Sequence, residues 1–271
     1  MYFKDIVVRP IAKVETSKFH KLMRDHHYLG ALPKIGNTIH YVASYNDNWI
    51  ALIVFSAAAL KCGARDKWIG WSYRYQYDRL NLLANNSRFL ILPGYHHKNL
   101  ASKVLSLVLN RIQNDWINYF GYPLLLVETF VDPARFYGTL YKASNWRFVG
   151  YSKGFKRTRG GYSNKKVNSG KMVFMFPLQR NAIKILACPI LPKKYQKGDA
   201  KMMLKAKHMI SLPDFFQEIE DPRREQGRRH RLEVVPAIAT AAVLCGMNGY
   251  KAISDWAQGL SQKARERFGC R

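Results

Sequence analysis

The sequence predicts an α/β domain with a mixed sheet and flanking helices, followed by a small all-helical domain. Three observations carry this. Phe89–Leu92, closed by Pro93, and Leu124–Val127 are short apolar runs that suit buried strands. Between them Leu100, Val104, Val108, Ile112 and Trp116 recur at i, i+4, the apolar stripe of one helix. A strand–helix–strand order implies a parallel pair with a right-handed crossover. From about His208 onward, Leu232–Cys245, Tyr250–Ala257 and a stretch capped by Ser261 read as three helices.

The remaining elements follow in order. Thr16 or Ser17 can cap a helix to about Asp25, with Phe19, Leu22 and Met23 inward. His26–Gly30 is a turn. Thr38–Tyr45 and Trp49–Ser56 are strands joined by Asn46-Asp47-Asn48, a hairpin signal. Asn99 can cap the long helix. Pro123–Asp132 is a strand, Arg135–Ser144 a short helix and Trp146–Tyr151 a strand. Lys153–Ser169 is a basic, Gly-containing loop, and Lys171–Leu178 alternates into a last strand. These boundaries give a first domain over 1–178. Over 180–207, eight basic residues stand against Asp199, with Pro189 and Pro192, and 179–207 reads as a linker. The helical domain covers 208–271.

The chain has 271 residues, 44 Lys+Arg against 18 Asp+Glu and a formal net charge of +26. That excess implies a polyanionic partner, most often nucleic acid. No apolar run is long enough to span a bilayer, and no basic amphipathic helix points to a membrane surface. Cys62, Cys188, Cys245 and Cys270 are far apart and form no C-x-x-C, so neither a zinc knuckle nor a disulfide framework is expected. With no secretory signal at Met1–Asp5, the expected compartment is the cytoplasm.

Five ordered motifs carry a family resemblance. They are Arg65-Asp66-Lys67-Trp68-Ile69-Gly70-Trp71, Asn86-Ser87-Arg88-Phe89-Leu90-Ile91-Leu92-Pro93, Asn99-Leu100-Ala101-Ser102-Lys103, Glu128-Thr129-Phe130-Val131-Asp132 and Tyr141-Lys142-Ala143-Ser144-Asn145-Trp146. Together they resemble the Druantia anti-phage protein DruA family over roughly 1–178. The element order also resembles the second half of the acetyltransferase-type fold of the GNAT superfamily. The run Asp221-Pro222-Arg223-Arg224 to Gln226-Gly227-Arg228-Arg229-His230, the spacing of Tyr250, Ile253 and Trp256, and the closing Phe268-Gly269-Cys270 are similar to the N-terminal associated domain of H-repeat-type DDE transposases. The chain stops where the catalytic DDE domain would follow, so the resemblance implies a fusion without the metal-binding carboxylates.

Candidate chemistry is sparse. A GNAT acetyl-CoA cradle would fall on His96-His97-Lys98-Asn99-Leu100-Ala101, where only Ala101 fits. Asn99 puts a side chain where a Gly is needed, so no cofactor is expected. His96, His97 and Lys98 then read as phosphate contacts at a helix start. Glu128, an acid in an apolar strand, is a candidate general base, or else pairs with a buried Arg such as Arg88 or Arg79. Tyr141 offers a hydroxyl. The family resemblance implies Cys at the position of Leu140, which removes a thiolate here. Asp66, Trp71, Arg88, Glu128, Tyr141 and Asn145 are expected to share a pocket, with His26, His27 and Tyr28 as further candidates; no metal site is expected. Lys153, Lys156, Arg157, Arg159, Lys165 and Lys166, with Phe155 and Tyr162 as stacking faces, suit a nucleic-acid backbone. Arg223, Arg224, Arg228 and Arg229 form a second candidate phosphate surface. The reading is a DNA-binding protein of a mobile element or defence system. Its rivals are an acyltransferase acting on nucleic acid or protein, and an inactive adaptor for a helicase or transposase.

Overall fold

A computed structural model of the chain describes residues 2–32, 36–71, 73–158, 161–166, 170–196, 212–247 and 249–270, with 73, 74, 77, 155–158 and 161–166 described by backbone only. The chain forms two compact units. The first holds residues to Gly70 and Arg79–Tyr195, and the second holds Trp71–Asp78 with Gln196 onward.

The first unit is a seven-stranded mixed sheet flanked by helices. Its strands are β1 (Val7–Pro10), β2 (Thr38–Tyr45), β3 (Asn48–Ala57), β4 (Leu83–Ile91), β5 (Leu126–Val131), β6 (Arg147–Tyr151) and β9 (Met172–Pro177). Their order is β1-β2-β3-β4-β5-β9-β6. The predicted parallel pair is β4 with β5; the other neighbours run antiparallel. The β2–β3 turn works as its sequence suggests. Asn46 and Asp47 take φ of 46° and 61°, the left-handed pair that a tight hairpin turn needs.

Period-2 alternation decides which helix covers which face. Ile39, Tyr41, Ala43, Ile53 and Phe55 pack with Leu100, Val104, Val108, Ile112 and Trp116 of a long helix, Leu100–Phe120. Val42, Leu52 and Val54 pack instead with Phe19 and Met23 of α1 (Thr16–His26). The next helices are α2 (Gly63–Ile69) and α3 (Tyr73–Arg79); the long helix is α4, and α5 (Thr139–Ala143) precedes β6. No described helix is long and apolar enough to cross a membrane.

Local departures from the sequence reading have plain causes. Neither Thr16 nor Ser17 caps α1. The carboxylate of Glu15 accepts from Ala12 N–H at 2.7 Å and pairs with Arg9 at 2.6 Å, forming the turn before the helix. Asn99 adopts φ 65° and its side chain makes no capping bond. The expected linker begins with a helix, α6 (Ala182–Ala187). Arg79 donates to Leu186 O at 2.5 Å and Pro189 O at 3.2 Å, holding this stretch in the first unit. The basic loop contains a two-stranded ribbon, β7 (Phe155–Thr158) and β8 (Gly161–Lys166). Ser152 and Lys171 close its root, through Ser152 N–H to Lys171 O and Lys171 N–H to Ser152 Oγ.

The second unit packs α7 (Val234–Leu244), α8 (Tyr250–Gln258) and α9 (Gln262–Arg267) around Val234, Ala237, Ala241, Met247, Trp256 and Phe268. Ser261 caps α9 as its type predicts, accepting from Ala264 N–H at 3.2 Å.

Candidate functional site

The site arises where the sheet opens. β4 and β5 pair only over Leu83–Leu126, Ala84–Val127 and Asn85–Glu128. Beyond that β4 follows β3 and β5 follows β9, so the two strands part. A cleft of about 1000 Å³ fills the gap, walled by β4, β5, the turn after α1 and the segment leading into α5.

Asn86 holds the apex. Its amide donates to Val54 O and Arg88 O, both at 3.1 Å, across a bulge between β3 and β4. Its side-chain oxygen accepts from Tyr141 OH at 2.7 Å, and its backbone carbonyl accepts from Thr129 Oγ1 at 3.0 Å. One buried amide thus ties β3, β4, β5 and α5. Asn86 stands in a family motif without a role legible there; the signal in the sequence is the polar run Asn85-Asn86-Ser87-Arg88 inside a strand.

Lys61, Arg88, Arg135 and Lys171, with His26, His27 and His96, line the cleft, and no Asp or Glu does among the described residues. Arg88 is half-buried and donates to Gly30 O at 3.0 Å and Ser87 O at 2.7 Å. It makes no ion pair with any described residue. Burial holds its guanidinium below the usual arginine range, eased by the nearby Tyr28 hydroxyl. Leu140 also lines the cleft, so the side chain at that position contributes to its wall.

The predicted site residues divide. Tyr141 lines the cleft, its hydroxyl pushed up to about 12 by burial, which keeps it protonated. Glu128 does not line it. Its carboxylate is fully buried, 3.1 Å from Arg65 and 2.7 Å from Ala59 N–H. The partner is therefore Arg65, not Arg88 or Arg79: α2 lays Arg65 beside β5, while Arg79 bonds the carbonyls before and after Cys188. Burial raises the Glu128 carboxyl against the pull of Arg65. Arg65 also binds Asp66 at 2.9 Å, so Asp66 too serves this pair rather than the cleft. Cys62 beside it is pushed up to about 11 by burial and the Glu128 charge, leaving a thiol. Asn145 lies outside the lining and takes φ 62° after α5. Trp71 belongs to the second unit.

His96 reaches the cleft, whereas His97 and Lys98 are exposed beside it. Lys153 is exposed, and Gly154 and Lys171 bring the root of the basic ribbon to the cleft wall. The side chains of Phe155, Lys156, Arg157, Arg159, Tyr162, Lys165 and Lys166 lie outside the described residues. In the second unit, Arg223 and Arg228 bind Asp221 at 2.8 and 3.6 Å, and Arg228 donates to Arg223 O. Those two arginines shape their loop; Arg224 and Arg229 are exposed without an ion pair among the described residues. The described residues contain no group of three or more His, Cys, Asp or Glu able to hold a metal.

Two histidines give the first unit a pH response. His27 is pushed down to about 4 by burial and by Arg88, and His40 to about 4 by burial and by His20. The unfolded chain binds these protons near pH ~6.5, the fold only near 4. Their contribution is complete above pH ~6.5 and is lost as pH falls toward 4. Glu15, held down to about 2 by Arg9, adds its loss only at lower pH. The thermal midpoint should fall by several degrees from pH 7 to 5, and His27→Gln/His40→Gln should flatten that slope. An unchanged slope in the double variant would refute the assignment.

Two family models match the chain. The model of the Druantia protein DruA matches residues 4–165, and that described as DDE_Tnp_1-associated matches 213–271. No curated protein matches the chain. Among solved structures it is similar to the ribosomal-protein-S18-alanine N-acetyltransferase from Escherichia coli, with 8% identity, TM-score 0.43, and 65% of this chain and 95% of that one covered. It is also similar to a spermidine N-acetyltransferase SpeG chimera from Vibrio cholerae and hSSAT, at 12% identity and TM-score 0.41, covering 64% and 96%. A third, an acetyltransferase of the GNAT family from Streptococcus pneumoniae, has 15% identity and TM-score 0.41, covering 64% and 98%. The DruA model spans more than half of the chain, and the chain belongs to the Druantia protein DruA family, while its last residues are similar to the DDE_Tnp_1-associated family.

Proposed function

We propose that this protein binds nucleic acid, DNA foremost, in a mobile element or an anti-phage defence system. One observation carries the reading: the cleft is lined by four cations and no carboxylate, and half-buried Arg88 has no counter-charge among the described residues. A desolvated cation bonded only to neutral carbonyls is costly, and an anionic ligand relieves it. The net charge of +26 and the basic ribbon rooted at the cleft extend the same preference over the surface. The test is a salt titration of duplex and single-stranded DNA binding. Wild type is compared with a variant in which Lys153, Lys156, Arg157, Arg159, Lys165 and Lys166 are Gln. The log–log slope on duplex should fall by roughly 0.9 for each phosphate that the variant no longer neutralises, several units in all. No binding at about 0.1 M salt, or an unaltered slope, refutes it.

A second reading, acyl transfer, has one observation in its favour. Asn99 holds φ 65° at the start of α4, the conformation a cradle glycine would take. Saturable acetyl-CoA binding would favour it.

A further inference from the structure

We propose that the mouth of the cleft holds one unpaired base of a single strand, stacked on a ledge built by Tyr28 and Phe136. This rests on the nucleic-acid reading above and names which form of the polymer the cleft takes.

The ledge comes from two separate segments. Tyr28 lies in the turn after α1 and Phe136 in the segment between β5 and α5; their ring centroids are 5.4 Å apart. His27 stacks on Tyr28 at 4.9 Å and 29° between planes. The Arg135 guanidinium lies 5.1 Å from the Tyr28 centroid, a cation–π contact that fixes the ring. Its pairing with Asp132, at 3.8 Å, is loose. Despite these contacts the rings stay open to solvent: Tyr28 is 41% exposed, Phe136 48% and adjoining Tyr137 83%. All three line the cleft. Packing would have buried such rings; here they are held in place with surface to spare.

What lies beneath suits a nucleotide. Arg88 supplies an uncompensated charge for a phosphate or a base carbonyl. Asn85, also lining the cleft, has a buried side-chain oxygen with no hydrogen-bond partner, an acceptor for a base N–H. A base within a duplex has both faces stacked and its edge paired, so it can use neither ledge nor floor unless extruded. A free strand offers both at once.

The test uses the full chain and a single-stranded oligonucleotide carrying 2-aminopurine, whose fluorescence is quenched on stacking. The same sequence as a duplex is the control. Wild type should quench the probe. Tyr28→Ala/Phe136→Ala should abolish quenching and weaken single-strand binding about 10- to 100-fold. Duplex affinity and the salt slope should stay as in wild type. Tyr28→Phe keeps the ring and should behave as wild type, which separates a lost stacking face from a damaged fold. If the double variant quenches and binds as wild type does while the basic-ribbon variant still loses its slope, the ledge proposal fails and the broader reading stands. If wild type binds no DNA at about 0.1 M salt, the broader reading fails and takes the ledge with it. Acetyl-CoA binding that the double variant loses, with oligonucleotide binding unchanged, also overturns the ledge.

Discussion

Arg65→Met should lower the unfolding free energy of the first unit by about 3–5 kcal/mol, measured by denaturant titration. Arg65 and Glu128 are both fully buried, and their pairing carries α2 onto β5. Removing the guanidinium leaves Glu128 with the Ala59 N–H alone in an apolar setting. The carboxyl is already raised by burial, and without Arg65 it rises further. A carboxyl whose folded pKa exceeds its unfolded value contributes stability at low pH and loses it as pH rises. The deficit of the variant should therefore widen from pH 5 to pH 8. Arg65→Met/Glu128→Leu should recover much of the loss, because the double change leaves no buried charge from the pair. A single variant within about 1 kcal/mol of wild type at pH 8 would mean the pair is not desolvated as the geometry requires.

Gly138→Ala should come next in size. Gly138 takes φ 69° at the start of α5, and a Cβ there would stand 2.5 Å from Phe174 Cζ and 2.7 Å from its Cε2. Left-handed backbone costs an alanine roughly 1–2 kcal/mol, and overpacking a fixed core typically adds about 1–3 kcal/mol. Phe174 is fully buried and cannot yield cheaply. It also stacks on Tyr141 at 5.8 Å, so the strain reaches the hydroxyl that holds Asn86 at the apex of the cleft. On the proposed reading, DNA affinity should fall along with the melting temperature. Gly121→Ala is the control: φ is 77° but nothing lies within 4 Å of the added carbon. It should show the backbone cost alone. Equal losses in the two variants would show that Phe174 gives way.

The sheet was legible because its pattern is local. The hairpin signal at Asn46-Asp47-Asn48 between β2 and β3 and the i, i+4 stripe of α4 each need only neighbouring residues. Site chemistry was less legible because it depends on which strands touch. Glu128 was an anomaly in its strand, and a buried arginine partner was among the readings. Choosing Arg65 needed α2 to fold back on β5, which no spacing records. Likewise Tyr28 and Phe136 are far apart in sequence and meet only because the chain returns past β5. Asp66 and Asn145 stand in motifs that resemble the family, yet one supports an ion pair and the other follows a short helix in left-handed conformation.

The closed root at Ser152 and Lys171 has a consequence for how such a chain can change. β6 and β9 lie side by side, so the described β7–β8 ribbon between them is an appendix to one hairpin. At its base a Cβ on Gly170 would stand 2.3 Å from Ser152 O, a neck too narrow to widen cheaply. Because the ribbon forms its own two-stranded sheet, lengthening, shortening or recharging it beyond that neck should leave the seven-stranded sheet and its register untouched. On the proposed reading, reach and grip on a polyanion can then drift from one copy to another without a change to the sheet that shapes the cleft.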